Sequence, residues 1–329
     1  MSRIGLALAL AGFGIACWVV WQQDVEAVTG LLASAGLFGL VLTALSHIPA
    51  MVLNAQAWAM LMPRHARPNL AGMVFQIWVR EAVNALLPVG RVGGELVCYR
   101  LLRRHGMRAA PAAGGLIADV ALSLVSQLLF ALLGVGLLAW GGASLGWGGL
   151  LAGLLLGAGC AAGFILALRA GLVGRIVTGL NALARDRLAG LAEGARRLDT
   201  YMRRLWARPR ALLACTAWQF AAWLAGGLEI WVACQALGTP ISPADALMIE
   251  ALIQALASAA FIVPGALGVQ EAGFVGLAVL AGLDPSMGAA LALTRRFRDL
   301  MLYLPGLLAW AVAERQAPPR AKATARSGL

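Results

Sequence analysis

The chain has 329 residues, of which 61% are apolar and 12% are charged, and its mean hydropathy is +0.81. Soluble domains carry about 25% charged residues, so this composition excludes a soluble globular protein and, because charges are few, a disordered chain. The net charge of +11 lies mostly beside apolar runs. Positive-inside topology and anionic headgroups explain that placement, and we predict no nucleic-acid partner.

Long apolar runs divide the chain into membrane-length segments, since a helical crossing needs roughly 20 residues. Basic residues follow the runs that end near Arg64, Arg169 and Arg315, whereas Asp24 follows the first run. Under the positive-inside rule, this alternation places both termini in the cytoplasm. The runs predict an all-α polytopic membrane protein with about six spanning helices, over 4–21, 36–62, 109–140, 149–168, 211–236 and 287–312.

Two further apolar runs are interrupted by Pro and Gly, and we predict that each forms a re-entrant hairpin. The first, over 70–102, breaks at 88–94 and has basic residues on both sides, so it enters from the cytoplasm and returns there. The second, over 246–281, breaks at 264–268 and lies in a stretch without basic residues, so it opens outward. Irregular backbone at membrane depth is stable only where protein or a water-filled cavity surrounds it.

The two hairpins align at an offset of 176 residues. Three crossings separate them, so their orientations are predicted to be opposite, which is the inverted-repeat plan of secondary transporters with a site at the midplane. A short helix begins after each break, near Gly94 or Gly268, and its free N–H groups would suit an anion. The coincident positions are Pro88 with Pro264, Glu95 with Glu271, Gly106 with Gly282, and Asp119 with Arg295.

This organisation divides the chain into four parts. The first membrane half covers 1–168 and the second covers 211–315, while a tail over 316–329 is predicted to be disordered. The connector over 169–210 carries ten arginines against three acids, and its apolar residues recur in steps of three and four, which predicts a basic amphipathic helix. Such a helix lies on the cytoplasmic membrane surface or packs its apolar face against the bundle.

Ionisable side chains within apolar segments cost about 2.5–3.5 kcal/mol each to insert, so they usually face a cavity or one another. Arginine forks suit a lipid phosphate, while carboxylates would orient the arginines or carry protons. The alternative is structural ion pairing, for example of Arg80 with Glu95. Asp119 with Arg295 would be a second such pair. Besides Gln127, Glu229, Glu250 and Gln254, these segments hold our candidate substrate-binding residues: Arg80, Glu81, Asn84, Pro88, Arg91, Glu95, Asp119, Pro264, Gln270, Glu271, Arg295, Arg296, Arg298 and Asp299.

The sequence indicates no catalytic or cofactor site. The formal GxSxG match at 142–146 lacks its strand–turn–helix context and a nearby histidine. Five cysteines are scattered through apolar segments without metal-ligand spacing, and we predict no metal, no cofactor and no enzyme activity. His47, near Pro49 in the second span, either lines the cavity or caps a kink.

The two broken segments and the last apolar run contain five distinctive motifs: REAVNALLPVGRVGGELV at 80–97, Ala118-Asp119, VPGALGVQEAG at 263–273, TRRFRD at 294–299 and LPG at 304–306. These motifs resemble those of a flippase-like membrane family that includes the transmembrane region of lysylphosphatidylglycerol synthases. Within that family, the chain is most similar to hopanoid-biosynthesis-associated integral membrane proteins, over about residues 5–315. The resemblance implies a bacterial inner-membrane protein with two re-entrant hairpins, a role in moving lipid between leaflets and a link to hopanoid-related lipids.

The resemblance also marks a departure and leaves alternatives open. The synthases carry a soluble aminoacyltransferase domain after the membrane part, whereas this sequence ends in a short basic tail, so we expect no lipid aminoacylation. The leading hypothesis is a flippase for a hopanoid-related or anionic lipid. The alternative is a non-transporting scaffold that docks a lipid-modifying enzyme at the basic connector, and a membrane-embedded enzyme ranks third. Gly149, Gly153 and Gly157 form a small-residue ridge that permits a homodimer.

Overall fold

The computed structural model describes residues 13–87, 93–141, 166, 189–260 and 263–315, and every regular element in these ranges is helical. Pro88, Arg91, the GxSxG match, the glycine ridge and the tail lie outside the described residues, as do residues 169–188 of the connector and all but residue 166 of the predicted span over 149–168. The elements are α1 (13–21), α2 (Val25–Leu45), α3 (Ile48–Met60), α4 (Leu70–Leu86), α5 (Gly93–Arg104), α6 (Ala109–Trp140), α7 (Ala189–Trp206), α8 (Pro209–Ala236), α9 (Pro243–Ala259), a 3-10 turn (Pro264–Ala266), α10 (Val269–Leu280), α11 (Pro285–Arg298), a π-helical turn (Asp299–Tyr303) and α12 (Leu304–Arg315).

The all-helical prediction is confirmed, and the described residues include three stretches that are long and apolar enough to cross a membrane. These are Val25–Met60, Ala109–Trp140 and Pro209–Ala236. The second of them has the predicted bounds. The large apolar side chains on the outside of the bundle, such as Phe38 at 80% exposure and Trp140 at 93%, fit a lipid-facing surface.

The second predicted span, over 36–62, was wrong at its start. Helix α2 begins at Val25 because the Asp24 carboxylate caps it, accepting from the Glu26 and Ala27 N–H groups at 3.0 and 3.1 Å. Gly36 lies inside this helix with φ 57° and ψ 178°, a conformation that favours glycine and kinks the backbone. The predicted span therefore began at the kink inside α2 and not at the start of the helix.

The internal repeat extends to the helix boundaries. Helices α4 and α9 both have 17 residues, and α5 and α10 both have 12. These lengths are short of the roughly 20 residues of a full crossing. At the offset of 176, four boundaries coincide: α3 ends at Met60 and α8 at Ala236; α5 spans Gly93–Arg104 and α10 spans Val269–Leu280; α6 begins at Ala109 and α11 at Pro285.

The turn after each short helix repeats as well. Gly106 and Gly282 both have positive φ, at 93° and 75°. Met107 N–H donates to the Leu102 carbonyl at 3.1 Å, and Leu283 N–H donates to the Ala278 carbonyl at 2.9 Å. This is the same glycine-dependent helix termination in both halves. The loop within the hairpin differs in length between the halves, since α4 and α5 are joined by six residues and α9 and α10 by nine. The loop that precedes the hairpin differs by the same three residues in the opposite sense.

The two halves interlock. Helix α3 packs against α8, α2 against α11, and α6 against both α8 and α9.

Helix α7 lies on this bundle, where its Ala195, Met202 and Leu205 are buried, and Tyr201 donates a hydrogen bond to the Leu61 carbonyl at 2.9 Å. Gly114 permits the contact, since a Cβ there would lie 2.4 Å from the Tyr201 ring. In the described part of the connector, the apolar face therefore packs on protein.

Candidate functional site

A cavity of about 420 Å³ lies between the two halves and is lined by side chains from both. Such a volume is within the range of small-molecule sites. Glu271 lies one hydrogen bond away from the lining, and only the backbone of Pro264 is described. The predicted residues that the fold brings together there are Arg80, Glu81, Asn84, Glu95, Asp119, Gln270, Arg295, Arg296, Arg298 and Asp299.

In the first half, the charged side chains form what we call the Arg80 cluster: Arg80, Glu81, Asp119 and the amide of Gln219. Arg80 Nη1 donates to the Asp119 carboxylate at 2.6 Å, and Gln219 from α8 donates to the other Asp119 oxygen at 2.9 Å. Arg80 and Asp119 are 6% and 1% exposed, so this is a buried, hydrogen-bonded pair. Glu81 is less constrained, since its nearest cation is Arg80 at 3.8 Å and its side chain is 37% exposed.

The suggested structural pairs were wrong in their partners. Arg80 on α4 bonds Asp119 of α6 instead of Glu95. Glu95 accepts from the Asn84 amide at 3.3 Å instead. Likewise, Asp119 does not contact Arg295. Arg295 lies ten residues into α11, the counterpart of α6 in the other half, and its partners are carboxylates of α8 and α9.

In the second half, the Arg295 cluster consists of Arg295, Arg298, Asp299, Glu229, Glu250 and His47. Glu229, from α8, is its centre: one oxygen lies 3.0 Å from Arg295 Nε and the other 3.2 Å from Arg298 Nη1. The second oxygen also lies 2.8 Å from His47 Nδ1. Arg295 donates further to Glu250, and Arg298 to Asp299 at 2.9 Å. Every charge in this cluster is therefore compensated by a neighbour on another helix or turn.

His47 both lies at the junction of α2 and α3 and lines the cavity. Its Nε2 is 3.2 Å from the Tyr303 hydroxyl, while Arg298 lies over the Tyr303 ring, 5.5 Å from its centre. Tyr303 ends the π-helical turn, whose Leu302 carbonyl accepts from Trp78 of α4 at 2.6 Å. π-Helical turns often occur at functional sites. This turn ties the first hairpin to the arginines of the second half.

At the N-terminus of each short helix, a side chain of the protein itself accepts a hydrogen bond from a backbone N–H group. The Asn84 side-chain oxygen accepts from Gly94 N–H at 2.8 Å, and the Glu271 carboxylate accepts from Gly268 N–H at 2.6 Å. Glu271 also binds Arg296 Nε at 2.7 Å. The sequence reasoning expected an anion at these helix starts. Instead, an amide caps one helix start and an internal carboxylate caps the other, so their electrostatic attraction for an external anion is weakened.

Some of the remaining cavity residues were noted in the sequence without entering the candidate set. Gln127, Glu250 and Gln254 were noted as polar groups in apolar segments, and His47 was expected to line the cavity or cap a kink; all four line it. Glu229 was noted on the same ground, and it lies behind the lining, where it binds the arginines. The lining residues that sequence reasoning missed are uncharged and gave no signal, because such residues are common in apolar helices: Asn54, Ser123, Gln219, Trp223, Ser258 and Tyr303.

Carboxylates outnumber arginines at the site. Four arginines face five lining carboxylates, and two more carboxylates, Glu229 and Glu271, bind those arginines directly. Each of the four arginines contacts at least one carboxylate within 4 Å. A phosphate that bound these guanidinium groups would compete with the internal carboxylates for them, and it would add negative charge where carboxylates already outnumber arginines.

An all-helical chain with long apolar helices and a polar cavity between two repeated halves is a multi-pass membrane protein. Comparison with known families agrees: the family described as Lysylphosphatidylglycerol synthase TM region matches residues 4–306. The chain belongs to this family, which places it among membrane proteins of lipid metabolism or transport. No curated protein and no solved structure matches it.

Proposed function

We propose that the protein moves a lipid between membrane leaflets, with the cavity between its halves taking the headgroup. The observation that carries the proposal is the joint lining of the cavity, to which both hairpins, α3, α6, α8 and α11 contribute. A polar site where two repeats meet, with broken helices around it, is the arrangement that lets a transporter expose one site to each side in turn.

The proposal includes the membrane arrangement expected from the sequence. The helix pairs α4–α5 and α9–α10 are re-entrant hairpins of opposite orientation, and their members, at 17 and 12 residues, are shorter than a full crossing. Both termini face the cytoplasm of a bacterial inner membrane, in keeping with the positive-inside rule. The link to hopanoid-related lipids rests on the resemblance alone.

The test is a leaflet-exchange assay in proteoliposomes. Fluorescent short-chain lipids are incorporated on both sides, and dithionite then bleaches those that reach the outer leaflet. Ser123→Trp fills the cavity without removing an ion pair, because Ser123 lines it from α6. Leu132→Trp is the matched control on the same helix, where Leu132 is 50% exposed at the outer surface of the bundle.

We expect wild type and Leu132→Trp to accelerate exchange over empty vesicles, and Ser123→Trp to lose the acceleration. Exchange at wild-type rate by folded Ser123→Trp would contradict a path through the cavity. If wild type moves none of the lipids tested, the proposal fails.

A scaffold for a lipid-modifying enzyme is the second candidate, and one observation favours it. Helix α7 buries its apolar face in the bundle but leaves Arg196, Arg197, Arg203 and Arg204 exposed. An exposed basic face suits an acidic partner surface or anionic headgroups. Folded wild-type protein that moves no lipid would favour this candidate.

A further inference from the structure

Some cavity side chains take no part in the ion pairs, and Gln270 is the most informative of them. Gln270 is 8% exposed and lines the cavity at the start of α10, yet its side-chain amide has no hydrogen-bond partner within the described ranges. An amide so placed points to a ligand that supplies both a donor and an acceptor.

Two neighbours offer the same kind of chemistry. Asn54 on α3 and Ser123 on α6 line the same cavity, and in the part of the chain that the structure describes their side chains make no hydrogen bond or ion pair. Together, these groups supply donors and acceptors without net charge from three different helices. Such a set matches hydroxyl groups, each of which also donates and accepts.

The charged residues point the same way. Every lining arginine already contacts a carboxylate, and the lining carboxylates outnumber the arginines, so a phosphate would add negative charge to a site that is already acidic. Glu81 and Glu95 are the carboxylates least engaged by arginine, and carboxylates accept strong hydrogen bonds from hydroxyls. A cationic headgroup would use these two acids but would leave the N–H donors of Asn54 and Gln270 unmatched.

One wall of the cavity is a fixed aromatic ring. Trp223 lines it from α8, donates its indole N–H to Ser126 at 3.1 Å, and stacks on Phe130 with the ring planes 15° apart. A ring held in this way presents a rigid apolar surface beside the amides. The C–H faces of a sugar or polyol would pack against such a surface while its hydroxyls bond the polar groups.

We infer that the cavity selects a neutral polyhydroxylated lipid headgroup, a sugar or a polyol, in preference to a phosphate or an ammonium group. The inference rests on the proposed function, since it concerns the same cavity. It names the class of headgroup and assigns recognition to Gln270, Asn54 and Ser123 with Glu81 and Glu95 as acceptors.

The experiment compares three fluorescent lipids with the same chains in phosphatidylcholine proteoliposomes of the full chain: a glucosyl diacylglycerol, a phosphatidic acid and a lipid with a quaternary ammonium headgroup. Binding is measured separately, as the rise in unfolding temperature of the protein in a zwitterionic detergent when each short-chain lipid is added. The variants are Gln270→Leu and Asn54→Leu. Gln76→Leu is the matched control, since Gln76 is also buried, at 5% exposure, but does not line the cavity.

We expect the glucosyl lipid to move and to bind most strongly, and Gln270→Leu to weaken its binding about tenfold while Gln76→Leu leaves it unchanged. Preference for phosphatidic acid or for the ammonium lipid would overturn the inference but keep the transport proposal. An equal loss for all three lipids in Gln270→Leu would also overturn it, because the residue would then be structural. Binding of the glucosyl lipid without any movement would sustain the inference and defeat the transport proposal, and absence of both would overturn the inference.

Discussion

The two halves of the molecule share a helix framework but use their charges differently. The Arg295 cluster in the second half satisfies its arginines and carboxylates through contacts between α8, α9 and the α11 region, all at low exposure. The Arg80 cluster in the first half has one arginine, bonded to Asp119, and leaves Glu81 partly exposed toward the cavity. The helix framework is therefore the same in both halves. In the second half the charged side chains are paired at low exposure, whereas in the first half a carboxylate remains partly exposed to the cavity.

This difference predicts that the Arg295 cluster serves mainly the stability of the protein and that the Arg80 cluster serves mainly the recognition of a ligand. A buried pair that loses one partner is destabilised strongly, because the remaining charge is left uncompensated, whereas a half-exposed carboxylate keeps its solvation. We therefore expect substitutions in the Arg295 cluster to act mainly on folding and those facing the cavity from the Arg80 cluster to act mainly on the ligand. The predictions that follow test this contrast.

The largest effect is expected for Glu229→Gln. Glu229 is 2% exposed and is shared by Arg295, Arg298 and His47, so the neutral amide would leave two buried guanidinium groups short of a counter-charge. The free energy of unfolding should fall by about 3–5 kcal/mol, measured by titration with a denaturing detergent. Glu193→Gln removes an exposed pair with Arg197 and should leave the midpoint unchanged. A wild-type midpoint in Glu229→Gln would show that the cluster is not an anchor.

The next effect is expected at the start of the first short helix. A Cβ at Gly94 would lie 2.4 Å from the Arg80 carbonyl oxygen and 2.8 Å from the Asn84 side-chain oxygen, so Gly94→Ala must part α4 from α5. We expect a loss of about 1–3 kcal/mol in the same titration. In Gly276→Ala, where the added Cβ meets open space, helix propensity should raise stability by about 0.5–1 kcal/mol. Equal behaviour of the two variants would mean that the close approach at Gly94 does not hold the hairpin.

A smaller effect is expected at the contact between the first hairpin and the π-helical turn. Trp78→Phe removes the indole N–H that donates to the Leu302 carbonyl, while most of the ring's packing area is kept. The unfolding free energy should fall by about 1 kcal/mol. Trp140→Phe, at a residue that is 93% exposed, serves as the control. No difference between the variants would separate the π-helical turn from the stability of the hairpin.

The smallest effect on stability is expected for Glu81→Gln, although its effect on the ligand should be clear. Glu81 is partly exposed and lies 3.8 Å from Arg80, so the change in unfolding free energy should stay within about 0.5 kcal/mol. Exchange of the glucosyl lipid should slow severalfold, because a charged acceptor is lost from the cavity. A large stability loss with unaltered exchange would reverse the roles assigned to the two halves.

Much of the architecture could be predicted from the sequence. Residues 109–140 form the predicted uninterrupted helix, because Pro111, the only proline of the segment, lies in the first turn, where proline is tolerated, and the rest of the run is predominantly apolar. The offset of 176 pointed to the repeat because Pro88, Glu95 and Gly106 have counterparts of the same type. Gly106 and Gly282 proved to occupy equivalent positive-φ turns, a requirement that only a few residue types meet.

The pairing of charges could not be read from the sequence. The choice of Asp119 over Glu95 as the partner of Arg80 depends on the rotation of α6 about its own axis and on its distance from α4. The shared role of Glu229 likewise depends on α8 crossing between α3 and α11, a matter of helix packing with no local sequence signal.

What the sequence determined by itself is that this chain is an apolar, helical, repeated membrane protein with ionisable groups set inside its helices, because composition and periodicity act locally. Only the tertiary structure decided what those groups do. Burial between helices that are distant in sequence pairs each arginine of the cavity lining with a carboxylate, and the same packing leaves Gln270 and Asn54 at the cavity without a partner in the described chain. The free energy of a buried charge depends on neighbours within a few ångströms, and packing alone fixes which neighbours those are.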